Sequence, residues 1–245
     1  MNKLAAIVLL ALCLGLGAAL PDASAILRAV DANLTSSSAK SSTRMVIHGK
    51  RSSRTVGSIN WSQGSQKFFT EYTAPPREKG TKMLKVGSNL WIYSPGTDRT
   101  IQISGNMLKQ SVMGSELSYE DFMEETSLAE DYSSTVEGET VYDGRACWIL
   151  NLTAKKPGKA YYKCKLYVDK TRSVILYELL YAKSGKLLKS VQYSDVARIG
   201  TRWYPRYILF KDELKDGRGT EYFVESIAFD ISIPPGTFTK ASLKK

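Results

Sequence analysis

The sequence predicts a mainly β fold with a few helices, organised as one antiparallel sheet. Three observations carry that prediction. Short runs of alternating apolar and polar residues fill most of the chain. Turn pairs such as Asp143-Gly144, Pro157-Gly158 and Ser184-Gly185 separate them at hairpin spacing. Fourteen tyrosines and four tryptophans suit a sheet that curls around something wide and apolar.

The chain opens with Met1-Asn2-Lys3 and the apolar run Leu4 to Leu16, followed by the small residues Gly17-Ala18-Ala19. A short basic start, an apolar stretch too short to span a bilayer and a small-residue cleavage site together make a signal peptide, assigned to residues 1–19. Residues 20–245 are read as a single domain that works in the periplasm. No later stretch approaches the roughly 20 apolar residues a membrane helix needs. Cys13 follows Leu12 rather than a small residue, so it is read as an ordinary leader residue; anchoring by a lipid on Cys13 is the alternative.

From Pro21 to Leu34, Ile26, Ala29, Val30 and Asn33 recur at helical spacing, with Asp22 near the N-terminus. The polar run Thr35 to Ser38 reads as a loop. Strands are expected at Thr43–Ser52, Thr55–Gln63, Lys67–Thr73, Thr81–Val86, Asn89–Ser94 and Arg99–Ser104. A second helix is expected over Tyr119–Leu128, where Ser118 and Asp121 stand at capping-box spacing. Further strands are expected at Thr135–Tyr142, Ala146–Thr153, Ala160–Asp169, Val174–Ala182, Leu187–Val196, Trp203–Lys211 and Thr220–Ile233. Consecutive hairpins imply a meander.

The formal charge is +10, and loss of Lys3 with the leader leaves the mature chain near +9. Such a balance favours anionic partners, phospholipid head groups or acidic protein surfaces. The Lys and Arg residues are scattered along strands rather than gathered into runs, which argues against nucleic acid. The mature chain keeps Cys147 and Cys164, an even count in an oxidising compartment. Alternation puts Cys164 on the face of Tyr162, Leu166 and Val168, whereas Cys147 is out of phase with Trp148, Leu150 and Leu152. If those apolar faces coincide, the two thiols point apart and only a bulge lets them bridge; the disulfide is left open.

Little in the sequence carries catalytic chemistry. The single histidine, His48, lies on an expected strand and reads as a surface or sheet-edge residue, with no serine or cysteine motif beside it. One histidine and two distant cysteines provide no metal-ligand spacing. Phosphate-cradling and nucleophile-elbow motifs are missing, so no cofactor is expected. The acids Glu120-Asp121 and Glu124-Glu125 read as a solvated helix face. The chain is therefore read as non-enzymatic, since no polar residue can be nominated as catalytic.

One set of motifs is specific. Gly80-Thr81-Lys82-Met83-Leu84 is followed by Leu90-Trp91-Ile92-Tyr93-Ser94-Pro95, Arg99, Ile103 and then Met113-Gly114-Ser115-Glu116-Leu117-Ser118-Tyr119-Glu120-Asp121-Phe122. In this order the segments resemble the outer-membrane lipoprotein-sorting family, the LolA-like proteins. Cys147 within Gly144 to Leu152, Tyr167-Val168-Asp169, Gly200 to Pro205 and Ile233-Pro234 look like the same family's second half. The resemblance implies an unclosed β-barrel, its mouth covered by helices, that carries acyl chains of lipoproteins or other lipids towards the outer membrane. It implies in turn an inner-membrane transporter as donor and an outer-membrane protein as acceptor. A non-enzymatic envelope sensor or accessory protein using the same barrel as an interaction module is the alternative.

On that basis the cavity wall is expected to include Trp61, Phe69, Met83, Trp91, Tyr93 and Ile101, with Met107, Met113 and Phe122 on the covering loop and helix. Methionines adapt their packing to a variable guest. Each of these residues taken singly reads more readily as ordinary core, and because Leu90 to Tyr93 are all apolar, alternation does not say which pair faces inward.

Overall fold

The structure, a computed structural model, describes residues 20–49, 51–123 and 127–244. The leader, Cys13 within it, and Glu124-Glu125 lie outside the described residues.

Among the described residues thirteen strands form, one near each position the alternation predicts: β1 (Ser38–His48), β2 (Ser53–Gln63), β3 (Lys67–Ala74), β4 (Lys82–Val86), β5 (Asn89–Ser94), β6 (Arg99–Ile103), β7 (Tyr132–Tyr142), β8 (Arg145–Ala154), β9 (Lys163–Asp169), β10 (Ile175–Tyr181), β11 (Leu187–Ile199), β12 (Arg202–Asp212) and β13 (Thr220–Phe229). They make one antiparallel sheet in the order β6-β5-β4-β3-β2-β1-β13-β12-β11-β10-β9-β8-β7. The chain starts in the middle, meanders out to one edge at β6, crosses to the opposite edge at β7 and meanders back. The edges β6 and β7 do not pair, so the curled sheet is an unclosed barrel. Its halves meet along the β1–β13 ladder, where Met45 faces Tyr222 and Thr43 faces Val224.

Most strand ends shift by a few residues from expectation, among them the end of β1 at His48, the starts of β7 at Tyr132 and β9 at Lys163 and the end of β11 at Ile199; two shifts have a clear tertiary reason. β1 begins inside the serine run that local composition assigns to a loop. Ser38 donates to the Ile231 carbonyl at 2.5 Å, and the Asp230 carboxylate accepts from the Ser37 amide and hydroxyl, so pairing with the C-terminal strand recruits the run. β13 stops at Phe229 because Asp230 turns into the left-handed region with φ 55°.

The inner face of the sheet carries the helices. In α1 (Ala23–Leu34), Asp22 caps the first turn by accepting from the Ser24 amide at 2.9 Å. Its apolar stripe of Ala23, Leu27 and Val30 packs on Leu150, Leu152, Leu166 and Val168 of the second half-sheet. The expected helix over 119–128 is instead two short ones, α2 (Tyr119–Met123) and α3 (Leu128–Asp131). α3 starts afresh because Ser127 accepts from the Glu130 amide, while the buried Asp31 carboxylate of α1 takes the amides of Leu128 and Ala129 at 3.0 Å each.

The outer face of the first half is covered differently. The C-terminal turn Lys240–Lys244 lays the fully buried Leu243 on Phe69 and Leu84, beside Trp61, Trp91 and Tyr93. Cys147 and Cys164 are buried thiols that form no disulfide. Cys147 faces Asp169 across the β8–β9 pair, whereas Cys164 faces Leu152 five positions along. Cys147 packs with Val174 and Leu176, and Cys164 packs under α1. The apolar faces coincide, the thiols point to opposite sides of the sheet, and the candidate Cys147–Cys164 bridge is not made.

Candidate functional site

The route from β6 to β7 has to cross the open side of the barrel, and residues 104–123 and 127–131 lie along that crossing. Two 3-10 turns, Gly105–Lys109 and Val112–Gly114, precede α2. At the second turn Met113 and Gly114 both adopt positive φ, 52° and 69°. That conformation points the Met113 carbonyl at Arg54 of β2, whose guanidinium donates to it. A Cβ on Gly114 would lie 3.2 Å from the same guanidinium, which accounts for glycine in this motif. Another motif glycine, Gly80 with φ 83°, packs its bare Cα towards the Pro95 ring.

Two further stitches tie the crossing segment to the other half. The Glu116 amide donates to Thr220 Oγ1 at 2.9 Å. Asp121 closes its own helix turn, accepting from the Ser118 amide at 2.7 Å, and also takes the Tyr161 hydroxyl at 2.5 Å and the Lys189 ammonium at 2.6 Å. The serine–aspartate capping box is thus one half of a longer-range anchor. The acids around it diverge in role, since Glu178, next to this anchor, is half-buried and accepts from Tyr193 Oη at 3.0 Å. Burial, helped by the charge of Asp121, pushes the Glu178 carboxyl up to about 7 against the opposing effects of Tyr193 and Lys189.

Beneath the crossing segment lies a cavity of about 620 Å³, within the range of roughly 300–1,000 Å³ typical of small-molecule sites. Phe68, Leu117, Phe122, Phe210 and the rings of Tyr204 and Tyr222 supply its apolar wall. Lys85 and Asp121 stand at its margin with the hydroxyls of Ser36, Ser62 and Ser65. Lys85 is 3 % exposed and donates to the carbonyls of Ser65 and Met123 at 3.1 and 3.3 Å. Burial, and secondarily Tyr222, pushes the Tyr204 hydroxyl up to about 12, so both tyrosines are neutral donors at physiological pH. On the same face of the sheet, Thr43, Ser58, Asn60 and Thr70 satisfy one another at 2.9 to 3.0 Å, a closed polar ladder that fixes strand register.

Of the nine residues expected at the site, Phe122 lines this cavity. Met83 and Met107 pack with Phe122 beneath the crossing segment, and Met113 packs beside it on Met45, Val56 and Tyr72. Ile101, 49 % exposed, shares their face of the sheet but lies on the edge strand, opposite Ile92. Trp61, Phe69, Trp91 and Tyr93 are on the other face. The first two line a separate pocket of about 250 Å³ beneath the C-terminal segment, and the last two pack against Phe238 and Leu243. In β5, then, Leu90 and Ile92 point inward. The sequence reading missed Phe68, Tyr204, Phe210 and Tyr222. Alternation within β3, β12 and β13 marks them as a set, once β13 is known to pair with β1.

His48 is not at a sheet edge. It ends the central strand β1, its Nδ1 2.8 Å from Ser53 Oγ and 3.1 Å from Arg218 Nη2, its Nε2 3.0 Å from Glu221 Oε1. With Nε2–H donating to the carboxylate, Nδ1 is left to accept from the serine and the arginine, and the ring fastens β1, β2 and β13 together. Among the described residues no cluster of three or more His, Cys, Asp or Glu side chains could hold a metal, and no helix is long and apolar enough to cross a membrane.

The fold is similar to that of several solved structures. A domain from Vibrio parahaemolyticus described as an outer membrane lipoprotein-sorting protein is 21% identical, with a TM-score of 0.79 over 91% of this chain and 98% of that one. A DUF1329 family protein from Desulfovibrio piger is 23% identical, with a TM-score of 0.80 over 90% of this chain and 97% of that one. A LolA superfamily protein from Nitrosomonas europaea is 22% identical, with a TM-score of 0.72 over 90% of this chain and 98% of that one. The fold is LolA-like. At the level of sequence, a family described as an uncharacterized protein matches residues 64–245, and the chain belongs to it. No curated protein matches significantly. The matched span of this chain runs from the β2–β3 turn through the crossing segment to the C-terminal turn, and so holds most of the cavity wall.

Proposed function

We propose that this protein is a periplasmic carrier that takes acyl chains of lipoproteins, or other lipids, into the cavity beneath the crossing segment and hands them on towards the outer membrane. The observation that carries the reading is the half-open, aromatic-walled cavity of about 620 Å³ under a segment held by a few polar anchors. Burial of a methylene is worth about 0.8 kcal/mol, so moving a chain of about sixteen carbons through water costs on the order of 12 kcal/mol unless a protein wraps it. Transfer between such walls is an exchange of one apolar environment for another and needs no nucleotide chemistry. The signal-peptide pattern of residues 1–19 supports work in the envelope, and the lipoprotein-sorting description of the Vibrio domain agrees. An inner-membrane donor and an outer-membrane acceptor follow from this direction of traffic.

Native mass spectrometry and organic extraction of the protein purified from its own envelope test the reading. Co-purifying acylated species, lost on Phe122→Ala, are the expected result. A protein that arrives empty and takes up no acyl ligand on titration overturns it.

A further inference from the structure

At the far end of β1 and β2 from Ser36 and Ser62, which line the acyl cavity, the β1–β2 hairpin and the β12–β13 connection enclose a second concavity of about 440 Å³. His48, Arg51, Ser52, Ser53, Asp216 and Arg218 line it. We propose that this concavity binds a phosphate group, either free or carried on a lipid head. The site goes beyond the carrier reading and does not depend on it.

Most arginines among the described residues stand against a carboxylate. Arg51 and Arg218 do not, since no described carboxylate lies within salt-bridge distance of either. Arg218 is nevertheless held in place. Its Nη2 donates to His48 Nδ1 at 3.1 Å, and Glu221 grips the far side of the same ring at 3.0 Å from Nε2. The imidazole thus positions the guanidinium without neutralising it, and the remaining N–H groups are left for a ligand. The backbone behind it is fixed as well, because Gly219, at φ 85°, lies so close to β12 that a Cβ would collide with the Phe210 carbonyl. Arg51 lines the concavity from the hairpin together with Ser52, whose hydroxyl makes no hydrogen bond to another described residue. Asp216, exposed on the rim, is the one described acid of the lining, so the two arginines leave it net positive. Each guanidinium is a planar fork that matches two oxygens of a phosphate. A tetrahedral group has oxygens enough for both forks and the hydroxyl, where a carboxylate has two.

Titration of the mature protein with inorganic phosphate, followed by amide chemical shifts, tests the site. Shifts are expected at Gly49, Ser52 and Arg218, and none at Phe68 or Phe122 beneath the crossing segment. Arg51→Gln/Arg218→Gln is expected to weaken phosphate binding at least about tenfold. Arg99→Gln/Arg198→Gln removes the same charge from exposed arginines that likewise have no described carboxylate partner, and is expected to leave the affinity unchanged. Flotation with phosphatidylglycerol vesicles separates the two sources. Retention lost in the Arg51/Arg218 variant and kept in the Arg99/Arg198 variant assigns the phosphate to a lipid head, with or without a response to the free ion; phosphate binding without retention assigns it to a free group. Shifts spread over the whole basic surface, acetate bound as tightly as phosphate, or equal losses in the two double variants overturn the proposal. So does a protein that responds to neither phosphate nor vesicles. The shift pattern of the unaltered protein stands whether or not a variant folds.

Discussion

The ammonium of Lys189 lies 2.6 Å from Oδ2 of Asp121, joining residues sixty-eight apart in sequence and fastening the covering segment to the middle of the second half-sheet. Both side chains are largely buried, at 8% and 17% exposure. Removing one member of such a pair leaves a charge stranded, at a cost of about 3–5 kcal/mol. Lys189→Ala is expected to lower stability by that order. It should also raise amide hydrogen exchange across residues 105–123 more than across β1 to β5. A uniform rise over the whole sheet would show that the pair does not anchor this segment in particular.

Glu178 gives the protein a pH dependence of defined sign. Its folded pKa, about 7, lies above the ordinary carboxylate value, so between the two the folded state holds more protons than the unfolded one. Stability from this group is therefore complete below the ordinary value, falls as pH rises towards 7 and is level beyond, by roughly 3 kcal/mol in all. Denaturant titrations from pH 4 to pH 8 should show the fall, and Glu178→Gln should flatten it. A slope unchanged in the variant assigns the effect elsewhere.

The two aromatic sets expected to share a cavity are separated by the sheet, and ligand binding should separate them as well. Phe122→Ala removes a cavity wall and is expected to weaken acyl-ligand affinity by about tenfold or more. Trp91→Ala removes the ring beneath Lys240, 4.4 Å from its ammonium, on the opposite face. It is expected to destabilise the protein by about 3–5 kcal/mol with ligand affinity retained. Fluorescence titration with an acyl probe checks both; equal loss of affinity in the two variants refutes the division.

Cys147 and Cys164 face opposite sides of the β8–β9 pair. Reducing agent is accordingly expected to leave the melting temperature unchanged, and burial keeps both thiols from alkylation until the protein unfolds. Burial, above all other influences, also pushes the Cys147 thiol upward, which lowers its reactivity further. A reductant-sensitive melting curve would mean a bridge that this register forbids.

The strands were legible because a period of two, punctuated by Gly, Pro and Asx turns, is a local signal that survives in isolation. What was not legible is set at a distance. The run Leu90 to Tyr93 is apolar at every position, so only pairing with β4 and the Leu243 strap decides that Trp91 and Tyr93 face outward. Ser118 and Asp121 announced a cap, but nothing local announces that the same carboxylate reaches Tyr161 and Lys189. The second-half wall, Tyr204, Phe210 and Tyr222, belongs to the site only through the β1–β13 seam, which joins residues about 180 positions apart.

That seam also dictates an order of assembly. β1 gains its neighbour β2 as soon as the first hairpin exists, but its other edge has no partner until β13, the last strand of the chain, has been made and brought back to it. Up to that moment the middle of the finished sheet is an open edge bearing Thr43, Met45 and Ile47, and strand edges of this kind recruit foreign chains. The molecule is in this sense fastened like a garment at the front, with its last stitch at the centre rather than at a margin. A chain shortened by a single C-terminal strand would not lose an edge; it would be split along its midline.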